Sequence, residues 1–267
     1  MRRRLSRARL VALVSMMAIA VAQPAAAIEP GVRPPFVDPI EYLGPEVRPK
    51  DRGVWVTELH KALRRAGFSI YDREGVYGWS TAAAVRVFSK VHNISDEPGF
   101  EARSWELLVD GTPVPGPGGE DHRIEIDLSR QIMYLVENSD VKAVLPVSTA
   151  SGGKYENFFG QIVTARTPEG RFELYNRRFG WYESYLGEMY NPFYFTGGYA
   201  IHGSPSVPWY PASHGCVRVR MSDMRWLKER LEIGIPVYVY GRRLERQDVV
   251  PIPRLIPLED IIERFAA

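Results

Sequence analysis

Ile124-Glu-Ile-Asp-Leu-Ser129 and, after Arg130-Gln131, Ile132-Met-Tyr-Leu-Val136 form the stretch in which the apolar period of this chain becomes two. Ile124, Ile126 and Leu128 alternate with Glu125, Asp127 and Ser129, and Ile132, Tyr134 and Val136 resume the alternation. Successive side chains of a strand point to opposite faces, so this pattern predicts half-buried β structure. Reading onward, Asn138-Ser-Asp140 is a turn and Val141 to Val147 a returning strand. Thr167 to Phe172, Tyr199-Ala-Ile201 and Pro236 to Tyr240 add further β material, and only Asp223 to Leu231 reads as helix. Tyr182 to Phe195, rich in aromatics, reads as a long loop suited to a lid. Residues 121–241 are therefore expected to form a mostly antiparallel sheet domain with one or two helices.

Reading back from Ile124, residues 111–120 are dominated by Gly and Pro and predict a linker. Before it, 53–110 changes to a helical period. Val56, Leu59, Leu63 and Ala66 share one face, and Gly67 stands where a C-terminal cap belongs. Ser80 or Thr81 is placed to cap a second helix carrying Ala84, Val85 and Phe88. A third short segment starts at Ser104, with Trp105 and Leu108 closing a small core. Residues 28–52 are proline-rich and read as an extended spacer. The fold class expected is α+β multidomain, a small three-helix N-terminal bundle followed by the sheet domain. The tail, 242–267, has room for one short amphipathic helix at Leu258 to Phe265 and carries no functional reading.

Residues 1–27 combine five arginines, an uncharged run from Leu10 to Ala22 and Ala25-Ala26-Ala27, the pattern of a cleaved export signal. The run is short for a bilayer span, so no membrane anchor is expected after its removal. The formal charge of +2 includes those arginines, and 1–27 holds no acid, so the remainder carries 2 − 5 = −3. Nucleic-acid binding thus loses its compositional support. An exported location is expected.

The chain has a single cysteine, Cys216, and five histidines. An exported protein with one cysteine closes no internal disulfide, so Cys216 is a free thiol. Alone it would read as an inert core residue. Its neighbours give it chemistry: Ile201-His202-Gly203, then Ser213-His214-Gly215-Cys216-Val217-Arg218. A thiol becomes a useful nucleophile when an imidazole takes its proton or a cation lowers its pKa. His214 is near in sequence, whereas His202 ends a predicted strand and can reach Cys216 from across the sheet. Gly215 lets backbone N–H groups converge, as an oxyanion hole requires. Zinc on His202, His214 and Cys216 is disfavoured, because no short His pair and no acidic partner accompany them. Gly152-Gly153 and Gly197-Gly198 lack the strand-to-helix setting of a phosphate loop. No metal or other cofactor is expected.

The His-Gly pair and the Ser-His-Gly-Cys-Val-Arg block resemble the L,D-transpeptidase catalytic domain. The likeness runs from about Arg123 to Gly241 and takes in the opening strand, Val147-Ser-Thr149 and Thr167 to Phe172. Gly53 to Leu108 resembles the three-helix peptidoglycan-binding domain of wall enzymes, with His60 and Ser89 at positions where the family usually has Gln. Those two departures are expected to touch the surface more than the core. The catalytic resemblance implies Cys216 as nucleophile, His202 as general base oriented by the Gly203 carbonyl, and an oxyanion hole from the amides of His214, Gly215 and Cys216. It implies Arg218 and Ser213 at the substrate, with Ser213 also bracing the loop. The implied partners are peptidoglycan stem peptides and the wall polymer. The implied reaction releases D-Ala from a tetrapeptide stem through a Cys216 thioester and makes a 3→3 crosslink. L,D-carboxypeptidase or exchange chemistry uses the same residues. A non-catalytic wall-binding scaffold is the reading from another class, and a papain-like protease is opposed by the late position of Cys216 after a β-rich run.

Overall fold

The computed structural model describes residues 44–94, 99–109 and 116–241. The export-signal reading at 1–27, most of the proline-rich stretch, part of the linker and the tail at 242–267 fall outside the described residues. Among the described residues no helix is long and apolar enough to cross a membrane.

The chain opens with helices α1 (Val54–Arg65), α2 (Trp79–Val91) and α3 (Ser104–Val109). Gly67, at φ +88°, closes α1: its own N–H donates to Arg64 O at 3.1 Å and that of Phe68 to Leu63 O at 2.9 Å. This paired closure satisfies carbonyls that a helix end otherwise leaves orphaned. Leu59, Leu63, Phe68, Phe88, Phe100 and Trp105 are buried together, with ring centroids 5.1–5.8 Å apart along Phe68–Phe88–Phe100–Trp105.

Three expectations for this region need correction. The start of α2 is held neither by a Ser80 nor by a Thr81 cap but by Asp72, from the loop before it. The Asp72 carboxylate accepts the N–H groups of Gly78, Ser80 and Thr81 at 3.1, 3.2 and 2.7 Å and the Thr81 hydroxyl at 2.7 Å. His60 and Ser89 are not surface substitutions; both are buried. His60 Nε2 meets Thr81 Oγ1 at 2.8 Å, and since that hydroxyl is already donating to Asp72, the imidazole is the donor. Finally, residues 44–52 are not a free spacer. Val47 is buried and pairs its backbone with Phe100, while Trp105 Nε1 donates to Pro45 O at 3.0 Å.

The second part is built from β1 (Arg123–Asp127), β2 (Ile132–Glu137), β3 (Asp140–Pro146), β4 (Lys154–Glu156), β5 (Ile162–Thr164), β6 (Gly170–Glu173), β7 (Asn176–Arg177), β8 (Trp181–Ser184), β9 (Gly187–Thr196), β10 (Tyr199–Ser204), β11 (Val217–Arg220), helix α4 (Met221–Leu227) and β12 (Pro236–Tyr240). One sheet has the order β3-β2-β1-β12-β6 and a second the order β11-β10-β9-β7, with β8 also on β9. Pairing is antiparallel except for β1–β12 and β10–β11. Ile124, Ile126, Met133 and Leu135 of the first sheet pack with Phe193, Ile201, Val217 and Val219 of the second and with Met224 and Leu227 of α4. The aromatic stretch Tyr182 to Phe195 is not a loop. It is the β8–β9 hairpin, in register from Trp181 opposite Tyr190 to Ser184 opposite Gly187.

The helices dock on the sheets. The N–H of Val144 in β3 donates to Gly67 O at 2.9 Å, so the segment after α1 covers the edge of the first sheet. Covering an edge removes unpaired backbone groups that would otherwise invite another chain. Lys90 Nζ donates to Arg130 O at 3.2 Å, and Tyr71 Oη donates to Asp223 Oδ1 at 2.8 Å. A Gly/Pro-rich linker suggests units with only a loose interface; here they share a backbone bond and partly buried polar bonds.

Candidate active site

β10 and β11 lie parallel with Ile201 opposite Val217 and His202 opposite Arg218. Ile201 and Val217 face the core, so by strand alternation His202, Cys216 and Arg218 face the other way. They line a cleft of about 590 Å³ together with Tyr155, Tyr199, Ser204 and His214. The β8–β9 hairpin supplies its far wall from Ser184 to Met189.

The loop carrying Cys216 is fastened from three sides. Ser213 Oγ accepts the Gly215 N–H at 3.0 Å and donates to Cys216 O at 2.6 Å. Thr149 O accepts the N–H groups of Ala212 and Ser213 at 2.9 and 2.8 Å. Thr149 is itself clasped by the buried Gln131: its N–H donates to Gln131 Oε1 and its hydroxyl accepts from Gln131 Nε2, both at 2.8 Å. From the third side, Thr167 Oγ1 donates to Gly215 O at 2.8 Å and accepts the Ala150 N–H at 3.1 Å. Gly215, at φ +156°, packs against the Tyr199 ring, and a methyl there would overlap that ring and lie 3.0 Å from Arg166 O.

His202 is buried, and its Nδ1 lies 3.0 Å from Gly203 O. A carbonyl can only accept, so Nδ1 carries the proton and Nε2 is left as an acceptor. Burial, with a smaller push from Arg218, outweighs the Gly203 carbonyl and lowers the imidazole to about 4. His214 sits in the loop with its ring 4.7 Å from that of Tyr155, and burial and Arg218 lower it too. Cys216 is half-buried, with Sγ 3.8 Å from Gly198 O. Burial raises its thiol above the ordinary value, against the opposing pull of the Ala200 backbone and Arg218. Arg218 has no carboxylate partner among the described residues, and burial lowers its own pKa.

The structure thus brings Cys216, His202, His214, Ser213 and Arg218 into one cleft. The Gly215 N–H donates to Ser213 Oγ within the loop. The amides of His214 and Cys216 have no acceptor among the described residues. Gln131, Thr149 and Thr167 are supports that reading the sequence left without a role. They lie between strands, after β1, after β3 and before β6, and their partners are 18 and 48 residues away, so no local pattern marks them.

A family model described as the L,D-transpeptidase catalytic domain (YkuD) matches residues 121–239. The chain is similar to the crystal structure of an L,D-transpeptidase from Xylanimonas cellulosilytica, at 36% identity over 73% of this chain and 98% of that one, with a TM-score of 0.67. It is also similar to the L,D-transpeptidase (Yku) structure from Stackebrandtia nassauensis, at 21% identity over 73% and 95% of the two chains, with a TM-score of 0.43. No curated protein matches the chain.

Proposed function

The chain belongs to the L,D-transpeptidase family, and from that premise we propose that it is an exported cell-wall enzyme that acylates Cys216 with a peptidoglycan stem. One observation carries the reading: the Nδ1 of His202 is committed to Gly203 O, which leaves Nε2 as the proton acceptor in the cleft that Cys216 lines.

At neutral pH a lowered imidazole and a raised thiol rest as a neutral pair, so the proton leaves as the sulfur attacks. Sγ bonds to the carbonyl carbon of the third stem residue while its proton passes to His202 Nε2. The free amides of His214 and Cys216 meet the oxyanion, where preorganised donors act most strongly. The bond to D-Ala then breaks, His202 returns the proton to the departing amine, and a thioester remains. The side-chain amine of a second stem attacks the thioester, the C–S bond breaks, the thiol regains a proton, and a 3→3 crosslink results. Arg218, a guanidinium in the cleft without a carboxylate partner among the described residues, suits a substrate carboxylate. Ser213 acts through the loop, since its hydroxyl is already donating to Cys216 O.

The helical unit is read as a wall-binding module, and the arginine-led segment at 1–27 as the export signal. Purified muropeptides incubated with the enzyme and separated by mass test the whole reading. Crosslinked dimers with loss of D-Ala are expected; tripeptide alone marks the carboxypeptidase reaction, and unchanged tetrapeptide marks the scaffold.

A further inference from the structure

The row of side chains that begins at Cys216 does not end at Arg218. Strand alternation puts Arg220 on the same face, and the ladder puts it opposite Ser204, which lines the cleft. Arg220 is buried and bonded to Asp223 through Nε at 2.5 Å and Nη2 at 3.1 Å. Its guanidinium lies against two rings contributed by the helical unit, 5.6 Å from the centroid of Tyr71 and 5.4 Å from that of Trp79. Those rings are fixed from below yet remain 48% and 55% exposed. Tyr71 is held further by its hydroxyl on Asp223 and its N–H on Ser80 Oγ. A pair of half-exposed aromatics therefore stands on Arg220, which the ladder puts opposite Ser204 of the cleft.

We propose that Trp79 and Tyr71 form a sugar-binding subsite for the glycan to which a stem peptide in the cleft is attached. The inference rests on the peptidoglycan reading above. Four residues of strand at about 3.3 Å each place Arg220 about 13 Å from Cys216. An extended peptide of three residues, from the carbonyl that meets the sulfur back to the start of the stem, spans about 10 Å, and the linkage to the sugar adds a few more. The sugar then falls over the two rings. Indole and phenol rings offer a large, preorganised apolar face with a polar edge, the chemistry that suits the C–H face of a pyranose. The helical unit in this account contacts the same substrate molecule that Cys216 cleaves.

The test compares kcat/KM for D-Ala release from a disaccharide-tetrapeptide with that from the free tetrapeptide. The wild-type ratio is expected to be about ten, the effect of one good aromatic anchor. In Trp79→Ala the ratio is expected to fall close to one, while Tyr71→Phe, which keeps the ring, retains it. A wild-type ratio near one overturns the subsite without recourse to any variant, and so does a Trp79→Ala ratio equal to that of wild type. Failure of the wild-type enzyme to release D-Ala from either substrate defeats the peptidoglycan reading instead, and the subsite with it.

Discussion

His202 and Arg218 stand opposite each other on the parallel β10–β11 ladder, so the charge of one bears on the proton affinity of the other. Burial is the larger influence on His202, Arg218 adds to it, and the imidazole falls to about 4.

The pH dependence follows from the sign of that shift. A lowered imidazole stays unprotonated, and so competent as a base, down to its lowered value. The rate of Cys216 acylation by a carbapenem should therefore hold steady from neutrality and fall only as pH approaches about 4. An ordinary histidine would lose its base form near 6.5. Alkylation by iodoacetamide, which reports the thiolate alone, should rise only above the usual thiol range, because burial raises Cys216.

The two histidines should separate cleanly. His202→Ala removes the acceptor nitrogen and should slow acylation by about two to four orders of magnitude. His214→Ala keeps the backbone amide and loses the ring contact with Tyr155, so its loss should be smaller. Acylation rates followed by intact mass check this, and a slower His214 variant would reverse the roles.

Gly215 admits no side chain. In Gly215→Ala the added methyl meets the Tyr199 ring and the Arg166 carbonyl, and overpacking of this kind costs about 1–3 kcal/mol. The loop must move to relieve it, taking the Cys216 amide along. Acylation should fall by at least about tenfold, one 1.4 kcal/mol step, even at temperatures where circular dichroism shows a folded protein.

Much of this was legible in the sequence, where the determinants are local. The alternation at Ile124 to Val136 reads directly as β1 and β2, and Gly67 as the end of α1. What escaped was set by distant partners. His60 looks like a polar surface residue until Thr81, held by Asp72, supplies its buried acceptor. The Tyr182 to Phe195 run looks like a loop because Tyr185 and Leu186, at the hairpin tip, break the alternation with exposed apolar residues. The parallel pairing of β10 with β11, which sets His202 beside Arg218, depends on two segments joined only through an irregular stretch. The residues of the site were visible as a motif; the clasp of Gln131, Thr149 and Thr167 was not.

The docked helices carry a prediction of their own. Asp72→Ala removes the acceptor for three N–H groups at the start of α2 and should destabilise the protein by about 1–2 kcal/mol at neutral pH, the upper range for a lost cap. Although burial raises the carboxyl, hydrogen bonds from Thr81 and Ser80 outweigh it and hold Asp72 below its ordinary value. Its contribution is therefore complete above that ordinary value and is lost as pH falls through the lowered one. Denaturant midpoints for the two proteins should converge in acid. Deleting residues 44–109 should likewise lower the Tm of the remaining domain, because it uncovers the β3 edge and the Asp223 carboxylate.

The central claim is that Cys216 carries the acyl group, with His202 taking its proton. The most direct measurement is the intact mass of the enzyme quenched during turnover of a tetrapeptide stem, followed by peptide mapping. The account predicts an adduct of the stem less D-Ala on the peptide holding Cys216, absent in Cys216→Ala and strongly reduced in His202→Ala. D-Ala release that persists in Cys216→Ala, or an adduct mapping to any other residue, would contradict it.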